Sequence, residues 1–192
     1  MKYLPKPPAF GGESRPYHGS VRNHLPMDDI DRKILSELQR DGRMSNVELA
    51  ERVRLSPSPC LRRLKRLERD GLIASYSAVL DRRKVGLGLT VFVELKIEGH
   101  STKTATRLET VFAAMEEVVA CHIVSGPSDF LLEVVVEDLE AYERFLLGTL
   151  LEIPGVNDVR SNISISTIKS NGALPLRRSG AGIGVQSRRR RA

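Results

Sequence analysis

The apolar positions of residues 28–70 repeat with the period of an α-helix and predict three short helices. Ser45 stands at the N-cap of the second helix, where Ser45 and Glu48 have the spacing of a capping box. The third helix begins after Ser56, with Pro57 in a first turn where its missing N–H costs nothing. The side chains expected on the buried faces are Ile30, Ile34, Leu35, Leu38, Val47, Ala50, Val53, Cys60, Leu64 and Leu67. Three short helices with a tight turn before the third predict a helix-turn-helix.

The period changes after this helical segment. Residues 72–80 predict an extended wing or linker strand, and residues 81–88 predict a hinge. Strict apolar alternation from Val91 to Ile97 predicts a strand. The remaining pattern predicts a helix at 103–117, strands at 118–125 and 130–136, a helix at 138–152 and a strand at 156–168. The order β-α-β-β-α-β is that of a ferredoxin-like domain.

The helices of such a domain cover only one face of its sheet. Phe92, Val124 and Val135 are apolar positions expected on the other face. A bare apolar sheet face usually marks an association surface, so we expect at least a dimer.

The predicted fold class is α+β, with a winged helix-turn-helix at 27–80, a linker at 81–88 and a βαββαβ domain at 89–170. Residues 1–26 are rich in proline and glycine, and residues 171–192 combine glycine, serine and arginine. Both ends are interpreted as disordered, the first as an N-terminal extension and the second as a basic tail. Met27 opens the first periodic segment, so either translation starts there or residues 1–26 form a flexible arm.

Charge and composition restrict the classes of protein. The net charge is +6 and the pI about 9.6, but residues 27–172 alone carry −3, so the basic balance comes from the two ends. No apolar run approaches the ~18 residues of a membrane helix, and residues 1–20 lack an apolar run of signal-peptide length. Two cysteines cannot by themselves build a disulfide framework or a four-ligand zinc site. We expect a cytoplasmic protein.

The predicted third helix concentrates basic residues, and Arg62, Arg66 and Arg69 are expected to share its outward face. Arginine binds guanine through two hydrogen bonds and also clamps phosphates, and hydroxyls at a helix N-terminus can donate to phosphate. A solvated amphipathic helix is the alternative, but the two preceding helices and the capped entry favour DNA binding. The expected DNA contacts are Ser45, Asn46, Ser56, Ser58, Arg62, Arg63, Lys65, Arg66 and Arg69.

Three separated segments carry a specific resemblance: SNVELAERVRLSPSPCLRRLKRLERDGLI, ACHIVSGPSDFLL and IPGVNDVRS. They resemble the leucine-responsive/asparagine regulator (Lrp/AsnC) family of transcription factors, and the resemblance extends over residues 27–170. SPSPCLRRLKRLE is most similar to the leucine-responsive branch. The resemblance implies a winged helix-turn-helix, a linker strand and a βαββαβ ligand-sensing domain. It also implies dimers that assemble further, and amino-acid effectors.

The resemblance further implies that the loop between the second and third strands of the sensor domain lines an effector pocket where dimers meet. In that loop Ser125 and Gly126 could approach an amino-acid carboxylate, and Asp129 could pair with its ammonium group. Thr149 and Leu150 are expected on the opposite wall. The family pattern Gly-Asp-aromatic-Asp is here Gly-Pro-Ser-Asp, which is also the chemistry of a plain hairpin turn.

The predicted function is sequence-specific transcription regulation tuned by an amino acid or a related metabolite. The expected partners are double-stranded DNA, that effector and further copies of the chain, with no membrane, cofactor or metal and with a location on the nucleoid. One alternative is an effector-independent architectural protein that coats DNA. Another is an enzyme similar to sirohaem decarboxylases, against which the basic helix and the lack of a haem-ligand arrangement argue. No nucleophile elbow, P-loop or dinucleotide fingerprint occurs.

Overall fold

The computed structural model of the protein describes residues 27–98 and 102–176, which divide into two compact units. The helical unit comprises residues 27–77 and 169–176, and the sheet unit comprises the described residues from 78 to 168. The boundary at 77/78 precedes the predicted boundary by three residues. The predictions for residues 1–26 and 177–192 lie outside the described residues.

Three helices form the helical unit: α1 (Asp29–Arg40), α2 (Asn46–Val53) and α3 (Pro57–Arg69). The complete capping box lies at α1, where Asp28 and Asp31 each accept the other's backbone N–H. At α2, Ser45 accepts the N–H of Glu48 as predicted, at 3.2 Å. The Glu48 carboxylate does not return to the N-cap, because it accepts a hydrogen bond from Arg52 at 2.9 Å.

The core of the helical unit differs from the predicted one at α2. Leu49 is fully buried, whereas Val47, expected inside, is 56% exposed. Leu49, Ala50 and Val53 share one helix face, and Val47 lies beside it. The buried side chains are Ile34, Leu35, Leu49, Ala50, Val53, Cys60 and Leu67.

Residues 72–80 do not form the predicted strand. A strand needs a partner for its backbone N–H and C=O groups, and the described residues supply none to this segment. Tyr76 instead donates a hydrogen bond to Glu68 of α3 at 3.0 Å, and Val79 and Leu80 are largely exposed.

The sheet unit has the predicted β-α-β-β-α-β order. Its elements are β1 (Leu89–Ile97), α4 (Thr102–Ala113), β2 (Val118–Ile123), β3 (Phe130–Val136), α5 (Leu139–Phe145), a π-helical turn (Leu146–Leu150) and β4 (Val156–Ile163). The strands are antiparallel in the order β2-β3-β1-β4, which confirms the ferredoxin-like topology. The last strand ends at Ile163, five residues earlier than predicted, and leaves Ile165 exposed.

The alternation predicted for β1 is confirmed. Val91, Val93 and Leu95 are buried in the core of the sheet unit, where the rings of Phe112 and Phe130 pack edge to face with centroids 5.3 Å apart. The other face is less apolar than expected: Phe92 is exposed, but Val135 is buried and Val124 partly buried. Polar contacts also occupy this face. Arg82 donates to Glu133 at 2.7 Å, and Glu94 accepts from Ser128 and Asn162.

The predicted hinge at 81–88 is an ordered turn of the sheet unit. The Leu87 N–H donates to the Arg82 carbonyl at 2.8 Å, and the Gly88 N–H donates to the Glu137 carbonyl at 3.1 Å. The structure also differs from the predicted tail at its start, since Leu174 and Leu176 contact the helical unit. Among the described residues no helix has the length and apolar character needed to cross a membrane.

Candidate nucleic-acid interface and effector loop

The outward face of α3 carries Arg62, Lys65 and Arg69, which we call the outer cations. The spacing i, i+3 and i+7 places them on one side of the helix, and all three are exposed. Arg69 pairs with its neighbour Asp70 at 3.1 Å, near the end of the helix. Arg62 and Lys65 form no ion pair with any residue in the described ranges. Two free cations therefore point away from the core in the first two-thirds of the helix.

Arg63 and Arg66 point toward α1, where the Asp31 carboxylate is only 1% exposed. Arg66 donates to Asp31 Oδ2 at 2.5 Å, and Arg63 donates to Asp31 Oδ1 at 2.9 Å. Arg63 also bonds to Asp28 at 2.6 Å. We call these four residues the anchoring cluster. The cluster fixes α3 to the first turn of α1 through charge-assisted hydrogen bonds.

The anchoring cluster corrects the expectation that Arg66 shares the outward face of Arg62 and Arg69. Four residues advance a helix by about 400°, which places Arg66 about 40° from Arg62 toward α1. On that side a buried carboxylate needs positive partners, so the long arginine side chain turns to it.

The anchoring cluster is held in its charged form. Burial alone would raise the pKa of Asp28, but the Asp31 backbone N–H and the Arg63 guanidinium outweigh burial and lower that pKa. Hydrogen bonds to Asp28 and Asp31 raise the pKa of Arg63. The two arginines are therefore engaged cations, unlike Arg62 and Lys65.

The turn that enters α3 exposes two hydroxyls. Ser56 is the N-cap residue but makes no side-chain capping bond, and both Ser56 and Ser58 are exposed. The Ser45 hydroxyl already accepts a hydrogen bond at the start of α2. Asn46 donates from Nδ2 to the Pro57 carbonyl at 2.9 Å and so ties α2 to α3. Of the predicted polar contacts, Ser56 and Ser58 are accessible, whereas the Asn46 amide acts within the fold.

The predicted effector loop joins β2 to β3. Gly126 has φ = +138°, a conformation that favours glycine, and Ser125 is exposed. Asp129 accepts the Ile97 backbone N–H at 2.9 Å through Oδ2, so its carboxylate holds the loop to the end of β1. Oδ1 of Asp129 accepts no hydrogen bond from the described residues.

The two residues expected opposite this loop differ in accessibility. Thr149 is exposed and lines a cavity of about 480 Å³, which is lined by none of residues 125–129. Leu150 has no exposed surface and belongs to the core of the sheet unit. The expectation that the Leu150 side chain lines an effector pocket is therefore wrong for this conformation of the chain. The single chain does not bring the loop and Thr149 into one pocket.

The two cysteines occupy different environments. Cys60 lies in the core of the helical unit, and burial raises the pKa of its thiol. Cys121 is exposed on β2, and partial burial together with the negative charge of Glu109 raises the pKa of that thiol. Neither environment activates a thiolate at neutral pH.

Comparisons with known proteins match both units. Residues 27–74 match the model of a winged helix-turn-helix DNA-binding domain, and residues 90–174 match that of the Lrp/AsnC ligand-binding domain. The leucine-responsive regulatory protein of Serratia marcescens is 43% identical over 83% of this chain and 97% of its own length.

Two crystal structures show the same fold. A transcriptional regulator from Neisseria meningitidis, in complex with L-Met, has a TM-score of 0.76 and 41% identity, with 79% of this chain and 97% of that chain covered. An AsnC family transcriptional regulator from Agrobacterium tumefaciens has a TM-score of 0.75 and 40% identity, with 78% and 97% covered. The predicted resemblance is confirmed: the chain belongs to the Lrp/AsnC family and is a transcription regulator with a helix-turn-helix DNA-binding domain and a ligand-binding domain.

Proposed function

We propose that the outer cations Arg62, Lys65 and Arg69 contact DNA, while Arg63 and Arg66 hold α3 in position. The observation that carries this proposal is the division of five basic side chains of one helix into an exposed set and a set bound to Asp31. A recognition helix inserts its N-terminal residues into the major groove. Arg62, in the second turn, is therefore placed for base edges, and Arg69 for a phosphate.

The N-terminal end of α3 adds contacts to the backbone of DNA. Ser56 and Ser58 are exposed hydroxyls beside the free N–H groups of the first turn. Backbone N–H groups at a helix N-terminus attract phosphate through hydrogen bonding and the helix dipole. These contacts would fix the register of the helix on the duplex, and Arg62 would supply sequence discrimination.

Footprinting at several salt concentrations tests this function against the architectural alternative. Genomic fragments carrying the upstream region of the gene are incubated with the full chain. A regulator protects discrete sites that persist as salt rises, because base contacts survive screening. Uniform protection that disappears with salt would instead support an architectural DNA-coating protein.

We also propose that an amino acid binds at the loop of residues 125–129 and modulates DNA binding. The matched ligand-binding model includes this loop, and the similar Neisseria regulator was crystallised with L-Met. Gly126 would approach the carboxylate of the amino acid, and Asp129 Oδ1 would accept its ammonium group. Because Thr149 lies outside the loop's own surroundings, the remaining wall of the pocket would come from another copy of the chain.

Calorimetry with the twenty amino acids tests the effector proposal. Binding of methionine or another apolar amino acid is expected, and Asp129→Asn should weaken it while leaving ligand-free DNA binding intact. The asparagine can still accept the Ile97 N–H, so the loop keeps its anchor. Asp158→Asn, an exposed acid on β4, is the matched control and should bind like the parent. Absence of binding by every amino acid would contradict the proposal.

We further propose that the chain acts as a homodimer or a larger assembly, on the nucleoid in the cytoplasm. Support comes from Phe92, which stays exposed in the middle of the sheet, and from the exposed apolar side chains of residues 79–80. Light scattering after size exclusion should give a mass of at least two chains. Phe92→Glu should lower that mass, whereas an unchanged monomer mass for the parent chain would contradict the proposal.

A further inference from the structure

The chain returns to the DNA-binding unit after the sheet unit is complete. Residues 169–176 follow the last strand and belong to the helical unit. The Leu174 N–H donates to Gln39 Oε1 of α1 at 2.5 Å, and Gln39 Nε2 donates back to the Leu174 carbonyl at 3.4 Å. The Leu176 side chain packs against the core of the helical unit. We call residues 171–176 the docked segment.

The residues that follow the docked segment are strongly basic. Residues 177–192 contain six arginines and no acidic residue, so this stretch, here called the arginine arm, carries +6. Residues 27–172 together carry −3. The largest positive charge of the chain therefore begins one residue beyond a side chain that packs on the DNA-binding unit.

We propose that the docked segment delivers the arginine arm to the DNA held by the same helical unit, where the arm binds phosphates that α3 does not contact. The inference rests on the proposed DNA-binding surface and adds a second one. Sixteen residues can span up to about 50 Å when extended, enough to reach phosphates flanking the site. Arginine clamps phosphate whatever the base sequence, so the arm adds affinity and no sequence discrimination.

The dependence of affinity on salt measures the arm directly. Full chain and a variant with all six arginines of residues 177–192 changed to glutamine are titrated with a mixed-sequence duplex at increasing salt. Each neutralised phosphate steepens the logarithmic slope by about 0.9, so six contacts would add about 5. Between 50 and 200 mM salt the full chain should then lose up to about 1,000-fold more affinity than the glutamine variant. Changing the six arginines to lysine should retain most of the slope. Equal slopes for the full chain and the glutamine variant would overturn the proposal.

A second comparison isolates the docked segment. Leu174→Pro removes the N–H that bonds to Gln39, and Leu176→Ser removes the packed side chain, while every arginine and all of α1–α3 remain. The double variant should bind the mixed-sequence duplex more weakly than the full chain and more tightly than the glutamine variant, because its arm is no longer held beside the DNA. Affinity equal to that of the full chain would show that docking does not matter and overturn this part.

The same variants separate this inference from the proposed function. The glutamine variant should still prefer a selected site over mixed sequence, because α3 is unchanged. A full chain that shows no preference for any selected site would contradict the function proposed for α3. A preference retained together with an unchanged salt slope would overturn the arm alone.

Discussion

Replacing Asp31 with asparagine should destabilise the helical unit, because one buried carboxylate holds two arginines of α3. Removing one member of a fully buried ion pair costs roughly 3–5 kcal/mol. In this cluster the Arg63 and Arg66 side chains remain 27% and 40% exposed, so water can replace part of the lost bonding. Asparagine also keeps one acceptor oxygen. We therefore expect a loss of about 2–3 kcal/mol in the free energy of unfolding.

Urea unfolding of the full chain, followed by circular dichroism, measures this loss. Because two compact units need not unfold together, hydrogen exchange of α1 and α3 amides assigns the change to the helical unit. Glu51→Gln is the matched control, since it neutralises an exposed acid of α2 and should change stability by less than about 0.5 kcal/mol. A loss in Asp31→Asn no larger than in Glu51→Gln would refute the anchoring role of Asp31.

The same substitution should also change DNA binding. Without the carboxylate, Arg63 and Arg66 become free to contact phosphates. The affinity of Asp31→Asn for mixed-sequence DNA should therefore fall more steeply with salt than that of the parent chain. A shallower dependence on salt would mean that the two arginines already contact DNA in the parent chain.

Three further predictions concern single groups. The lowered pKa of Asp28 means that its carboxylate contributes stability above pH 3.8, its unperturbed value, and loses that contribution as the pH falls toward the folded pKa. Asp28→Asn should accordingly flatten the pH dependence of the urea midpoint below about pH 4, and an unchanged profile would contradict the Arg63 contact. In the native chain iodoacetamide should modify only Cys121, and slowly at neutral pH, whereas urea should expose Cys60 as well; early modification of Cys60 would contradict its burial. Asp129→Ala should cost about 1–2 kcal/mol because the Ile97 N–H loses its acceptor, and an unfolding curve like that of Asp129→Asn would show that the bond contributes nothing.

Local patterns in the sequence predict much of the fold. The alternation from Val91 to Ile97 specifies which face of β1 is buried, since a shift of one residue would place every apolar side chain in solvent. Ser56 and Pro57 mark the start of α3 because both suit the first turn of a helix. Such signals lie within a few residues of one another, so the sequence shows them directly.

The arrangement of the site depends on contacts between distant segments. Arg62 and Arg66 lie within about 40° on α3, and only the position of Asp31 on α1 separates their roles. The opposite charges of Asp28 and Asp31 and of the α3 arginines were the available signal, but acids at the first turn of a helix are also ordinary capping residues. Leu150 presents a similar case, because its burial depends on how the π-helical turn packs on the sheet.

Segments without a periodic pattern gave the least information. Residues 72–80 have strand-like side chains, but a strand forms only where a second backbone lies alongside. The docked segment is short, and its main contact joins a backbone to the side chain of Gln39, which lies 135 residues away. No sequence pattern marks such a pairing.

The most direct test compares Arg62→Ala with Arg66→Ala on a duplex selected from a random pool by the parent chain. Arg62→Ala should lower affinity for the selected site by about 1–3 kcal/mol, with little loss on mixed-sequence DNA and no loss of stability. Arg66→Ala should lower the free energy of unfolding, yet at a temperature where it stays folded it should keep the parent's preference for the selected site. Loss of that preference in Arg66→Ala, together with unchanged binding by Arg62→Ala, would contradict the assignment of the outer cations to DNA.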